Sequence, residues 1–155
     1  MEQVREAKRR ITRKWKSTST AAALRRLMFD VGDAAIAMVI NTKGFATSTG
    51  DDENLAYAYC IDERGYCLSV CRVLDDELVE IMVFDQVNYK TREVAVELSR
   101  DQLRLKLSAA AAAHLDGIIE YTVPLTASED ELRELDAALS VIFAGGTRGE
   151  YVRRL

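Results

Sequence analysis

Two cysteines four apart, Cys67 and Cys71, a single histidine, His114, and two runs of acids, Asp51-Asp52-Glu53 and Asp75-Asp76-Glu77, are the side chains whose types and spacing could do chemistry. A strand would turn Cys67 and Cys71 to one face, yet a zinc centre needs three or four ligands and the chain has only one imidazole. The thiols therefore read as small buried hydrophobes. His114 ends an alanine-rich stretch, where a cation suits a helix C-terminus, and reads as structural or exposed. Neither acid run has the spacing of a calcium loop. No glycine-rich phosphate loop, nucleophile elbow or metal-binding helix motif occurs in the sequence. The expectation is a non-enzymatic chain with no catalytic residue, metal or cofactor. Asp51, Asp52, Glu53, Asp75, Asp76 and Glu77 are left as candidate partner-binding residues.

Charge gives those acids a context. Residues 1–27 hold nine Lys or Arg against Glu2 and Glu6, a net of +7, while the remaining residues hold 12 basic against 23 acidic side chains, a net of −11. An acidic body is repelled by nucleic acid and by anionic membranes and drawn to basic proteins, with the attraction acting mainly on encounter rate and specificity. A basic protein is the partner this implies. The arm places Val4, Ile11 and Trp15 on one helical stripe among basic residues. One reading is a helix that binds nucleic acid or a membrane surface. The other is a solvated extension, set off by Ser17, Thr18, Ser19 and Thr20 and dispensable for folding. Nucleic acid is thus a partner only through the arm, no membrane is expected, and the oligomeric state is open.

The elements that must position these residues follow from periodicity. With 155 residues, 48% of them hydrophobic, and one proline, the chain has the make-up of one ordinary globular domain. Its boundaries are read as a basic arm over 1–27, a single α+β domain over 28–146 and a tail over 147–155. Arg25, Arg26, Asp30 and Asp33 interrupt the one long apolar candidate, so no span or leader is expected and the cytoplasm is the default location. Cys60, Cys67 and Cys71, odd in number, fit reduced thiols.

Strands are expected over 34–40, 55–61, 66–73 and 78–84, a loop over 41–54, and a connection or irregular edge over 85–92. Val94, Val96 and Leu98, then Leu103, Leu105 and Leu107, alternate with polar residues across a short turn and predict a half-exposed hairpin. Ser108 caps a short helix over 109–115 that Gly117 stops. A strand over 119–125 carries Pro124, a sign of a sheet edge or a strand end. Ser128 and Glu131 form a capping box for a helix over 129–143, whose Leu132, Leu135, Leu139 and Ile142 share a face. The fold class expected is α+β, an antiparallel sheet of meander and hairpins with a C-terminal amphipathic helix on one face and a basic N-terminal helical arm.

The order of these residues resembles a known family. The string from Arg92 to Ser108, the alanines after it, Ile118 to Val123 and Glu131 to Phe143 resemble the C-terminal half of the tenth-numbered immunity protein family of bacterial polymorphic toxin systems. Tyr66 to Arg72 is similar to the preceding family strand, an aliphatic run ending in arginine. The resemblance covers roughly residues 45–144. It implies a cytoplasmic protein that binds and neutralises a cognate toxin, with no catalytic residue. The alternative from another class is an acidic secretion chaperone or adaptor that binds an effector protein. An exposed apolar groove or dimer face would mark that alternative, and an acidic loop surface the immunity reading.

Overall fold

The computed structural model describes residues 37–84, 87–144 and 149–155. The expectations for the arm over 1–27, for its serine and threonine linker and for the start of the first strand lie outside these residues. The chain runs β1 (Ala37–Val39), β2 (Ala46–Thr49), β3 (Leu55–Ile61), β4 (Cys67–Val73), β5 (Val79–Val83), β6 (Val87–Thr91), β7 (Val94–Ser99), β8 (Gln102–Leu107), α1 (Ala109–Ala113), β9 (Glu120–Pro124), α2 (Glu129–Ile142) and β10 (Glu150–Arg154).

These strands form two five-stranded sheets, where the sequence suggested one. The first is an antiparallel meander, β2-β3-β4-β5-β6, and the second has the order β1-β9-β8-β7-β10. The split falls at Arg92 and Glu93, between β6 and β7. In the second sheet β7, β8 and β9 are antiparallel, whereas β1 joins β9 and β10 joins β7 in parallel. The class remains α+β, rich in antiparallel pairing, with the C-terminal helix on a sheet.

Period two in the sequence becomes inward and outward faces. Val94, Val96, Leu98, Leu103, Leu105 and Leu107 point into the main core, and the residues between them are half-buried or exposed. In β3 the inward side chains are Ala56, Ala58 and Cys60, small enough for α2 to approach closely with Leu132, Leu135, Leu139 and Ile142. Small inward residues on β3 thus face large ones on the helix, which is how a core interdigitates. Both caps form as the sequence predicts. Ser108 Oγ accepts from Ala111 N at 3.0 Å, and Gly117 takes φ +83° at the α1 stop. At α2, Ser128 Oγ accepts from Glu131 N at 3.3 Å while Glu131 Oε2 accepts from Ser128 N at 2.7 Å.

Three segments differ from the sequence expectation. The loop over 41–54 contains β2, the tail over 147–155 contains β10, and the segment 85–92, read as a connection or irregular edge, contains the regular edge strand β6. All three are outermost strands, and their residues carry little or no apolar alternation. β10 is mostly exposed; its attachment is main-chain pairing to β7, a 2.7 Å hydrogen bond from Tyr151 Oη to Asp136 and ion pairs of Arg153 with Asp136 and Arg154 with Glu97. Of the two readings of Pro124, the strand end holds: β9 is an internal strand, but its pairing with β1 stops at Thr122.

Leu139 is fully buried under the meander. Leu139→Ala should lower stability by about 2–5 kcal/mol, the range for a leucine truncated in a well-packed core. A chemical-denaturation midpoint equal to that of the unaltered chain would contradict this packing.

Candidate functional site

The β2–β3 turn and the β4–β5 turn carry the two acid runs, and the meander places them side by side. Gly50 opens the first turn with φ +89°, where a side chain is strained, and Asn54 closes it at φ +54° with its N–H donating to Gly50 O at 3.1 Å. Asn54 then bridges the two turns. Its carbonyl accepts from Leu74 N at 3.0 Å, and its Nδ2 donates to Asp75 Oδ2 at 3.0 Å. Acids some twenty residues apart in sequence therefore form one patch at one end of the sheet.

The patch is less negative than its sequence suggests. Asp76 is paired with Lys90, and Glu77 lies 3.1 Å from Arg92, both cations coming from β6 and the residue that follows it. Asp51 accepts from Thr49 Oγ1 at 2.9 Å, which orients its carboxylate without neutralising it. Among the described residues, Asp51, Asp52 and Asp75 are the exposed carboxylates of the patch outside these ion pairs, and Glu53 is half-buried beside them. The sequence missed the neutralising pair because Lys90 and Arg92 fall in a segment read only as a connection or irregular edge, with no register to place them. Once that segment is a strand, Lys90 sits directly opposite Glu80 and at the end of the sheet where Asp76 turns back.

Arg72 fixes the geometry of this end. It is buried at an inward position of β4, in line with Leu68 and Val70. Its Nη1 donates to Leu74 O at 3.0 Å and Asp76 O at 3.1 Å, inside the acidic turn. Its Nε donates to Ile142 O and its Nη2 to Val141 O, both at 2.7 Å, at the C-terminal end of α2. Val141 O also accepts from Ala144 N, just past the helix, at 3.3 Å, and a cation at this end meets the negative end of the helix dipole. The sequence shows a charged residue in line with inward apolar ones, but which groups it meets is set by tertiary contacts.

A second polar cluster occupies the opposite end of β4. Tyr66 and Tyr121 both donate their hydroxyls to Asp116, and the two phenol oxygens are 3.2 Å apart. Burial, then the nearby Tyr121 and Asp116 charges, pushes the Tyr66 phenol far up; burial and Asp116 do the same for Tyr121. Both stay protonated across the neutral range, and the cluster clips the α1–β9 loop to the meander. His114, at the end of α1, is exposed and stacks on Tyr89 with ring centroids 4.2 Å apart. Cys67 and Cys71 share a face, and all three cysteines are buried thiols outside any disulfide. Among the described residues no group of three or more His, Cys, Asp or Glu is arranged to hold a metal ion.

The other charged surface is the outer face of the second sheet, with Glu93, Glu97, Arg104 and Lys106. Its charges largely pair within the face: Arg104 lies 2.8 Å from Glu120, Lys106 3.7 Å from the same residue and Arg154 3.2 Å from Glu97. The hydrogen bond from Arg104 holds the Glu120 carboxyl below the usual carboxylate range. The acidic turns gather Asp51, Asp52 and Asp75 at one end, and a second group of exposed acids, Glu129, Asp130, Glu131 and Glu134, lies on α2, where Arg100 pairs with Glu129 and Arg133 with Asp130. No family model, curated protein or solved structure matches the chain. No helix among the described residues is long and apolar enough to cross a membrane.

Two outcomes follow from this geometry. Replacing Arg72 by Leu removes the guanidinium donor from four buried or half-buried carbonyls and should cost about 3–5 kcal/mol, and Arg72→Lys should recover little of it, since an ammonium cannot reproduce the planar fork. Full stability of the lysine variant in denaturant would contradict the assignment. The hydrogen bond from Lys90 holds the Asp76 carboxyl below its ordinary value. A depressed folded-state pKa contributes stability above the unfolded value, and that contribution is lost as pH falls through the folded one. The stability difference between the unaltered chain and Asp76→Asn should therefore be small but steady at neutral pH and shrink below about pH 4. A difference that stays constant down to pH 2 would exclude the ion pair as its source.

Proposed function

We propose that this chain is a non-enzymatic binding protein of the immunity type, which neutralises a basic protein toxin by docking the acidic end of its meander onto it. The observation that carries the reading is the union of the two acidic turns through Asn54 and Asp75, with Asp51, Asp52 and Asp75 left exposed. Charge on a patch held by a buried guanidinium is presented in one geometry, which favours selective contact over diffuse attraction. The resemblance of residues 45–144 to an immunity family points the same way. The chaperone alternative calls for a broad apolar surface. The exposed large hydrophobics among the described residues are Val39, Val152 and Leu155, lying singly at the two outermost strands of one sheet, so it has less support.

The test is co-expression with the toxin encoded by the gene immediately upstream, where a partner of this type would lie. The unaltered chain should restore growth, and association of the purified pair should be fast at low salt and slow as ionic strength rises. A triple variant, Asp51→Asn, Asp52→Asn and Asp75→Asn, should associate about tenfold more slowly and melt as the unaltered chain does. Full protection with an unchanged association rate would move the binding surface away from this end.

A further inference from the structure

The meander has a second face that the two-sheet core does not use. Tyr57 and Tyr59 of β3, Cys67 and Cys71 of β4, and Glu80 and Met82 of β5 point to it, opposite Ala56, Ala58 and the other inward residues. Tyr59, Cys67 and Cys71 are each 1% exposed and Glu80 is 3% exposed. Among the described residues, the two apolar clusters on this face consist of residues of the meander alone. Helix α2 and the second sheet both pack on the other side. A sheet face open to water does not bury tyrosine and a carboxylate to this degree.

Residues 85–86 and 145–148 are too short to cover three strands, which leaves the N-terminal segment. We propose that this face is the docking surface of the chain's own basic arm, residues 1–16, seated as an amphipathic helix along β3 and β4. Its length fits: sixteen helical residues span about 24 Å, and the seven-residue β3 spans about 23 Å. Its stripe of Val4, Ala7, Ile11 and Trp15 supplies the apolar surface that the tyrosines, thiols and Met82 call for. Its charge fits as well. Residues 1–16 hold seven Lys or Arg against Glu2 and Glu6, and the face contains the buried Glu80 carboxylate, to which Asn88 Nδ2 donates at 2.6 Å and which has Lys90 opposite it on the edge strand. A buried carboxylate is stabilised by a cation beside it. Residues 17–36 are ample to lead from such a helix to β1. On this inference the arm is part of the folded unit, which reverses the expectation that residues 1–27 are dispensable, and it offsets some of the self-repulsion of a body with net charge −11. The inference does not depend on the toxin-binding reading.

Trp15 is the only tryptophan of the chain, so the full-length protein reports on its own arm. Its native emission should be blue-shifted from that of the same chain in denaturant and resist acrylamide quenching. In the full-length variant Val4→Glu, Ile11→Glu the emission should move to the denatured position. Cys67 and Cys71, followed by peptide mapping, should react with a soluble disulfide reagent about tenfold faster or more, while Cys60 on the inner face stays protected. Native emission that coincides with the denatured spectrum overturns the proposal, and so do unchanged thiol rates in a folded variant. Thiol protection that is lost on dilution would assign the cover to a second copy and likewise overturn it. Should the variant fail to fold, emission and quenching of the unaltered chain decide alone.

Discussion

Arg72 joins two places that the sequence keeps seventy residues apart. One guanidinium, buried between sheet and helix, donates to two carbonyls of the β4–β5 turn and two at the C-terminus of α2. A planar fork suits this arrangement because its donors diverge in one plane at fixed angles. Each acceptor is a main-chain group in or near the core, and such groups are costly when unsatisfied; Val141 O also accepts from a main-chain donor, Ala144 N. The helix can then lie over the small residues of β3, and the acidic turn takes a defined position relative to it. Asn54 extends the same control to the neighbouring turn through Leu74 and Asp75.

The electrostatics of the acidic end depend on that frame. Of the six acids, Asp76 and Glu77 are matched by Lys90 and Arg92, and Asp51 is oriented by Thr49. Exposed pairs of this kind contribute little to stability. Their effect is to sharpen the pattern, removing charge from one side of the patch and leaving Asp51, Asp52 and Asp75 on the other. The outer face of the second sheet follows a different logic, with opposite charges paired across strands. On the proposed function, these exposed acids would help to steer a basic partner, over distances set by a Debye length of about 8–10 Å.

Much of this was legible in the sequence. The hairpin of β7 and β8, both helix caps, the α2 face and the burial of Leu135 and Leu139 follow from period two, period 3.6 and capping chemistry, which are local signals. The division into two sheets was not legible, because it depends on where the chain leaves one sheet for the other at Arg92 and Glu93. Periodicity says which residues face inward but not which layer they face. β2, β6 and β10 were missed because short outermost strands in which polar residues such as Thr, Ser, Asn, Lys and Arg stand beside only a few Val and Tyr are held largely by main-chain pairing that side chains do not announce. The acid runs were visible as composition. Their union was not, because it rests on Asn54 and Arg72, each a single residue whose role depends on tertiary contacts. The continuous burial of β3, β4 and β5 was partly visible in Leu-Ala-Tyr-Ala-Tyr-Cys-Ile, a run with apolar side chains on both faces.

The most direct test of this account is native-state hydrogen exchange on the full-length chain and on its Arg72→Lys variant. If one guanidinium couples the acidic turn to the end of the helix, the amides of Leu74, Asp76 and Leu78 and those of the last turn of α2 should lose protection together and by a similar factor. The Tyr66 end of β4 should keep its own. Loss confined to the turn, or to the helix alone, would show that the two places are held independently and would contradict the central role assigned to Arg72.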